Sequence, residues 1–82
     1  MQIVLSNDAV KQYNHLPPGD KKKIKKKLNT LNEYPHAGKK LSGELSLYRS
    51  LRVWPYRIIY IINKNEEMIE VSSIVHRQGA YK

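Results

Sequence analysis

The sequence predicts an α+β domain, with a helical hairpin packed on a small, mainly antiparallel sheet in the order β-α-α-β-β-β. Three observations carry that prediction. A lysine-rich segment behind Leu16-Pro17-Pro18-Gly19 sets Ile24, Leu28 and Leu31 at i, i+4 and i+7, the spacing of one helix face. Three runs rich in β-branched and aromatic residues follow: Leu47 to Val53, Tyr56 to Ile62, and Met68 to about Val75. The links between these runs are short, which makes the strands antiparallel neighbours.

Taken in order, Ile3, Val4 and Leu5 form a short first strand. Ser6, Asn7 and Asp8 are good N-caps for a helix that carries Val10, Tyr13 and Leu16 inward. Leu16-Pro17-Pro18-Gly19 breaks that helix, and a second runs from about Pro18 to Glu33. Asp20 lies in its first turn, where a negative charge suits the helix dipole, and Pro35 ends it. Trp54-Pro55 forms the first strand-to-strand turn and residues 63–67 the second.

Composition bounds the function. A chain of 82 residues with no internal repeat or linker fits one small domain over residues 1–82. The absence of cysteine removes disulfide frameworks and Cys-based zinc sites, and fits a reducing cytoplasm. The N-terminus has no apolar signal-peptide core, and the apolar run 58–62 is too short to span a bilayer, so the expectation is a soluble, cytoplasmic protein. Fifteen Lys and Arg against seven Asp and Glu give a net charge of +8. Such a chain attracts polyanions, nucleic acid foremost. Membrane-surface binding needs a basic amphipathic helix with Trp, Phe or Leu on its apolar face, and only short aliphatic stripes occur here.

Sheet parity gathers part of the charge. With Trp54 and Pro55 as the loop, Val53 pairs with Tyr56, Arg52 with Arg57 and Ser50 with Ile59, and paired residues share a face. With residues 63–67 as the second loop, Ile62 pairs with Met68 and Arg57 lies opposite Ser73. Arg77 has the parity of Ser73. Arg52, Arg57, Ser73 and Arg77 are therefore expected at one end of one face, with Leu51, Val53, Ile58, Ile62 and Ile74 on the face the helices cover. No acidic residue occurs between Leu45 and Asn65 or after Glu70, so nearby strand residues cannot neutralise the arginines. Such a cluster is screened by water or receives an anion. For Arg57 alone, an ion pair to a helix carboxylate such as Asp8 or Glu33 is the competing expectation.

The stretch KKKIKKK, residues 21–27, sets Lys21/Lys25, Lys22/Lys26 and Lys23/Lys27 at i, i+4. Each like-charge pair costs about 0.2–0.5 kcal/mol, together roughly 1 kcal/mol. A solvated face around the Ile24 stripe explains the run, and so does a sequence-blind contact to a phosphate backbone. The two are compatible.

The order of elements and four short motifs resemble the RelE branch of the RelE/ParE toxin superfamily. The motifs are LPPGDKKKIKKKL at the second helix, KKLSG at residues 39–43, LRVWPYRIIY at residues 51–60 and HRQGAY at residues 76–81. The resemblance implies the RelE-like microbial RNase fold and a type II toxin that cuts mRNA in the ribosomal A site. It implies three partners: a RelB-like antitoxin, the small ribosomal subunit and mRNA. Catalytic roles carry over to Arg57 of the YR strand motif, Arg77 and Tyr81 of the tail, and Arg52 on the preceding strand. Family members often carry a second basic residue two positions before Arg52. Here Ser50 stands on that face and Arg49 on the other, which leaves Lys39 or Lys40 as substitutes. Candidate RNA-contacting residues are Lys22, Lys23, Lys26, Lys27, Lys39, Lys40 and Arg49.

RNA cleaves when its 2′-hydroxyl attacks the adjacent phosphate. The usual proton-transfer tools are two histidines, or a histidine with a glutamate. His15, His36 and His76 are scattered along this chain, and no HxxxH motif or carboxylate cluster suggests a metal, so no cofactor is expected. Electrostatics and positioning remain: Arg57 with Arg52 clamping the phosphate, Tyr81 stacking on a base and, as the resemblance implies, Arg77 at the leaving oxygen. A terminal aromatic covering the core edge competes for Tyr81. For KLSG a plain turn, and for Trp54 hairpin packing, are the expected roles. Arginine is a poor base, so the proton acceptor stays open among Lys39, Lys40, Tyr81 and a ribosomal group. Two alternatives stand beside it: a ParE-like toxin on the same fold that inhibits gyrase, and a plain RNA-binding module or toxin relic without catalysis.

Overall fold

The computed structural model describes residues 1–77. In order, these form β1 (Gln2–Leu5), α1 (Asn7–Asn14), α2 (Pro18–Glu33), β2 (Lys39–Lys40), β3 (Tyr48–Val53), β4 (Tyr56–Asn63) and β5 (Met68–His76), with a 3-10 turn at Gly43–Leu45. The sheet order is β1-β5-β4-β3-β2. β1 runs parallel to β5 and the other pairs are antiparallel. The expected α+β fold is present, with β2 as an additional strand too short to leave a periodic signal.

Ser6 joins the first strand to the first helix. Its Oγ accepts the Ala9 N–H at 3.0 Å, which caps α1, and donates to the Ser72 carbonyl at 2.7 Å. The inward stripe of α1 differs from the expected one. Ala9 is fully buried, whereas Val10 is 42% exposed. The stripe runs Ala9, Tyr13, Leu16 at i, i+4, i+7, with Ala9 in the core and the two larger side chains packed against it. Pro18 occupies the first position of α2, where its missing N–H costs nothing. Ile24 and Leu31 of α2 are fully buried, with Leu28 packed at the margin.

The β3–β4 register is the expected one, with Val53 opposite Tyr56, Arg52 opposite Arg57 and Ser50 opposite Ile59. Leu51, Val53, Ile58, Ile62 and Ile74 face the helices, together with Tyr56, Tyr60, Ile69 and Val71. Fully burying an aliphatic side chain of this size contributes about 1.5–3 kcal/mol.

The β4–β5 register differs from expectation. β4 extends through Asn63, so Asn63 rather than Ile62 pairs with Met68. A bulge then leaves Ser72 without a partner on β4, because Tyr60 faces Val71 while Ile59 faces Ser73. Arg57 consequently lies opposite Val75, not Ser73. Each change moves the register by one residue. One alone would turn the strand over; two restore the original face. Ser73 and Val75 thus share the face of Arg57. Past the bulge the Ile74 N–H, turned away from β4, donates to Gln12 Oε1 of α1 at 2.6 Å.

Candidate nucleic-acid interface

The site begins with a buried phenol. Tyr60 is fully buried beneath the helices. Its hydroxyl accepts the Gly38 N–H at 2.9 Å and donates to the Pro35 carbonyl at 2.7 Å. Arg49, opposite Tyr60 on β3, donates from Nη1 to the Gly38 carbonyl at 2.9 Å. Gly38 is required by this close approach, since a Cβ there would lie 2.6 Å from Tyr60 Oη. Burial raises the Tyr60 pKa, while the Gly38 N–H and the Arg49 charge pull against that shift.

These bonds hold the chain as it enters β2. There Lys39 pairs with Ser50 and Lys40 with Arg49. Lys39 therefore shares the face of Ser50, Arg52 and Arg57, and Lys40 that of Arg49. Lys39, Lys40, Leu41, Ser42, Ser50, Arg52 and Arg57 line a cleft of about 380 Å³. Among the described residues no acidic side chain lines it. Arg52 and Arg57 stand directly opposite each other, a placement in which like charges repel and an anion between them is favoured. The helix carboxylates Asp8 and Glu33 belong to the layer on the other side of the sheet. Asp20 is engaged there, accepting the Tyr56 hydroxyl at 2.8 Å and lying 3.9 Å from the Lys23 ammonium. Ser50 is buried on the cleft face, and its Oγ has no hydrogen-bond partner among the described residues.

Other candidates lie elsewhere. Arg77 sits at the Trp54-Pro55 turn, with its N–H donated to the Pro55 carbonyl at 2.8 Å and its guanidinium 4.5 Å above the Trp54 ring. It shares the end of the sheet with Arg52 and Arg57 but does not line the cleft. His76 packs edge-on against Tyr56, with ring centroids 5.5 Å apart, on the helix-covered face. Tyr81 falls outside the described residues. Arg49 is tied to Gly38 rather than turned to the cleft. Lys22, Lys23, Lys26 and Lys27 are exposed on α2, across the sheet from the cleft. Among the described residues no three His, Asp or Glu side chains gather where they could hold a metal ion, and no helix is long and apolar enough to cross a membrane.

Sequence reasoning passed over Ser50 as a functional group and Tyr60 as a support. The parity that placed Arg52 and Arg57 together also put Ser50 beside them, so its position was available. Its burial and unsatisfied hydroxyl were not.

Comparison with known proteins follows the same lines. The ParE toxin family, described as the ParE toxin of the parDE type II toxin-antitoxin system, matches residues 3–81. The provisionally named toxin RelE1 of Methanocaldococcus jannaschii is 32% identical over 85 residues, covering 98% of this chain and 93% of that one. A chain of the RelBE2 toxin-antitoxin complex from Mycobacterium tuberculosis superposes with a TM-score of 0.85 at 24% identity, covering 93% of this chain and 96% of that one. The isolated RelE toxin of E. coli gives 0.80 at 23% identity over 92% of this chain and 82% of its own. A chain of the archaeal RelE-RelB complex from Pyrococcus horikoshii gives 0.77 at 20% identity over 96% and 97%. At these identities the solved structures establish the fold.

Proposed function

The chain belongs to the RelE/ParE superfamily of type II toxin-antitoxin toxins, and from that premise we propose that it is a ribosome-dependent endoribonuclease that cuts mRNA in the A site. The observation that carries the proposal is the cleft in which Arg52 faces Arg57, with Lys39 on the adjacent strand and no carboxylate among the described residues of the lining. That arrangement suits a phosphodiester whose charge grows during attack by the neighbouring 2′-hydroxyl.

In this reading Arg57 and Arg52 hold the non-bridging oxygens and stabilise the developing charge. Lys39 takes the second basic position and is the group on the cleft face assigned to the 2′ proton. Arg77, from the turn, assists departure of the 5′ oxygen, and Tyr81 stacks on a base. The lysines of α2 hold RNA backbone without reading sequence. Residues 1–82 act as one cytoplasmic toxin domain without a cofactor. A RelB-like antitoxin is its partner, a reading supported by the RelE relatives of known structure that are complexes with RelB.

The test is brief expression followed by mapping of mRNA ends on ribosomes, for wild type, Arg57→Ala and Arg77→Ala. In-frame cuts are expected in wild type and should fall about 10²- to 10³-fold on loss of Arg57. The matching family's ParE description favours a second reading, gyrase inhibition without cleavage. Growth arrest with DNA damage and intact mRNA would select it. Neither phenotype would leave a non-catalytic RNA-binding module.

A further inference from the structure

We propose that the Ser50 hydroxyl is a phosphate-binding group, donating to a non-bridging oxygen of the phosphodiester held between Arg52 and Arg57. The proposal rests on the cleft being the phosphate site. Three observations carry it. Ser50 is only 7% exposed, and its Oγ has no partner among the described residues. It lines the cleft. It sits between Lys39, its partner on β2, and Ile59, its partner on β4, in the row that carries Arg52 two residues on.

A buried hydroxyl with no partner destabilises a fold. Alanine at this position would remove that burden at no cost in backbone geometry. A hydroxyl kept here gains if a ligand supplies the acceptor. An anion is the acceptor the surroundings favour, because the charged side chains among the described residues of the cleft are all positive. Ser50 differs from the cations in kind: it donates one directional hydrogen bond and adds no charge, so it fixes the height of the phosphate above the strand rather than attracting it.

The test uses a 2′-O-methyl RNA dinucleotide, which presents one phosphodiester and lacks the attacking hydroxyl. Binding to the full chain is followed from the amide resonances of Lys39, Ser50 and Arg57. Ser50→Ala should weaken binding by about 10-fold or more, as expected for loss of a hydrogen bond to a charged group, with a melting temperature at or above that of wild type. Ser50→Thr, which keeps the hydroxyl, should restore most of the affinity. Wild-type affinity in Ser50→Ala, alongside weakened binding in Arg52→Ala and Arg57→Ala, would overturn the role of Ser50 and leave the cleft reading standing. No perturbation of the cleft amides in wild type would remove both. A lowered melting temperature in Ser50→Ala, with no recovery of binding in Ser50→Thr, would make Ser50 structural and overturn the proposal.

Discussion

A phenol inside an aliphatic core must have its hydrogen bonds answered, and Tyr60 does so with two backbone groups of the segment leading to Lys39. The tyrosine is therefore both core and support. Tyr60→Phe keeps the ring and strands the Gly38 N–H and the Pro35 carbonyl. We expect a loss of about 2 kcal/mol in urea denaturation, with disturbance concentrated at residues 35–40. Gly38→Ala should cost about 1–3 kcal/mol by overpacking against the same ring. In the sequence Tyr60 reads only as one more large residue in an apolar strand. Its partners lie 22 and 25 positions away, and no local pattern links them. Ser50 was hidden for the same reason, since burial and the absence of a partner are properties of the folded neighbourhood.

Between elements, the bond from Tyr56 to Asp20 ties the start of β4 to the first turn of α2. The hydrogen bond to the Asp20 carboxylate raises the Tyr56 pKa above its ordinary value, with burial and the negative charge adding to it. A raised folded-state pKa means the neutral phenol is the stabilised form. That stabilisation is fully present below about pH 10, the unfolded value, and is lost as pH rises through the higher folded value. Stability of the wild type should therefore fall above about pH 10, and Tyr56→Phe should be less stable at neutral pH with a shallower alkaline decline, read from urea midpoints across the pH range. Elements with strong local signals were legible: α2, bounded by proline at both ends, and the β3–β4 hairpin, whose two-residue turn leaves one register. β2 was not, because two residues carry no period. The β4–β5 register was missed because neither a turn one residue shorter than expected nor the bulge at Ser72 has a local signature.

At the scale of the molecule, charge is divided between two sides. The cleft occupies the face the helices leave open, and the lysines of α2 lie on the far side of the helical layer. The net charge of +8 carries no information about this division, which follows from the sheet's position between them. The two surfaces should separate in experiment. Replacing Lys22, Lys23, Lys26 and Lys27 by alanine should reduce the dependence of log affinity on log salt by about 0.7 for each lysine that engages single-stranded RNA. On the function proposed above, cleavage at saturating ribosome concentration is expected to stay near wild type. An unchanged salt slope would assign the run to solvation alone. Relief of the i, i+4 repulsion should also leave α2 slightly more stable.

β5, the last of the described strands in chain order, lies between the first, β1, and β4. A nascent chain that has not yet delivered residues 68–76 has neither the neighbour of its opening segment nor half the support for its middle. Such long-range pairing is slow to form, because the chain must close a large loop before any contact rewards it. The five-stranded sheet beneath the arginine pair therefore closes only once residues 68–76 have joined the two ends of the described fold.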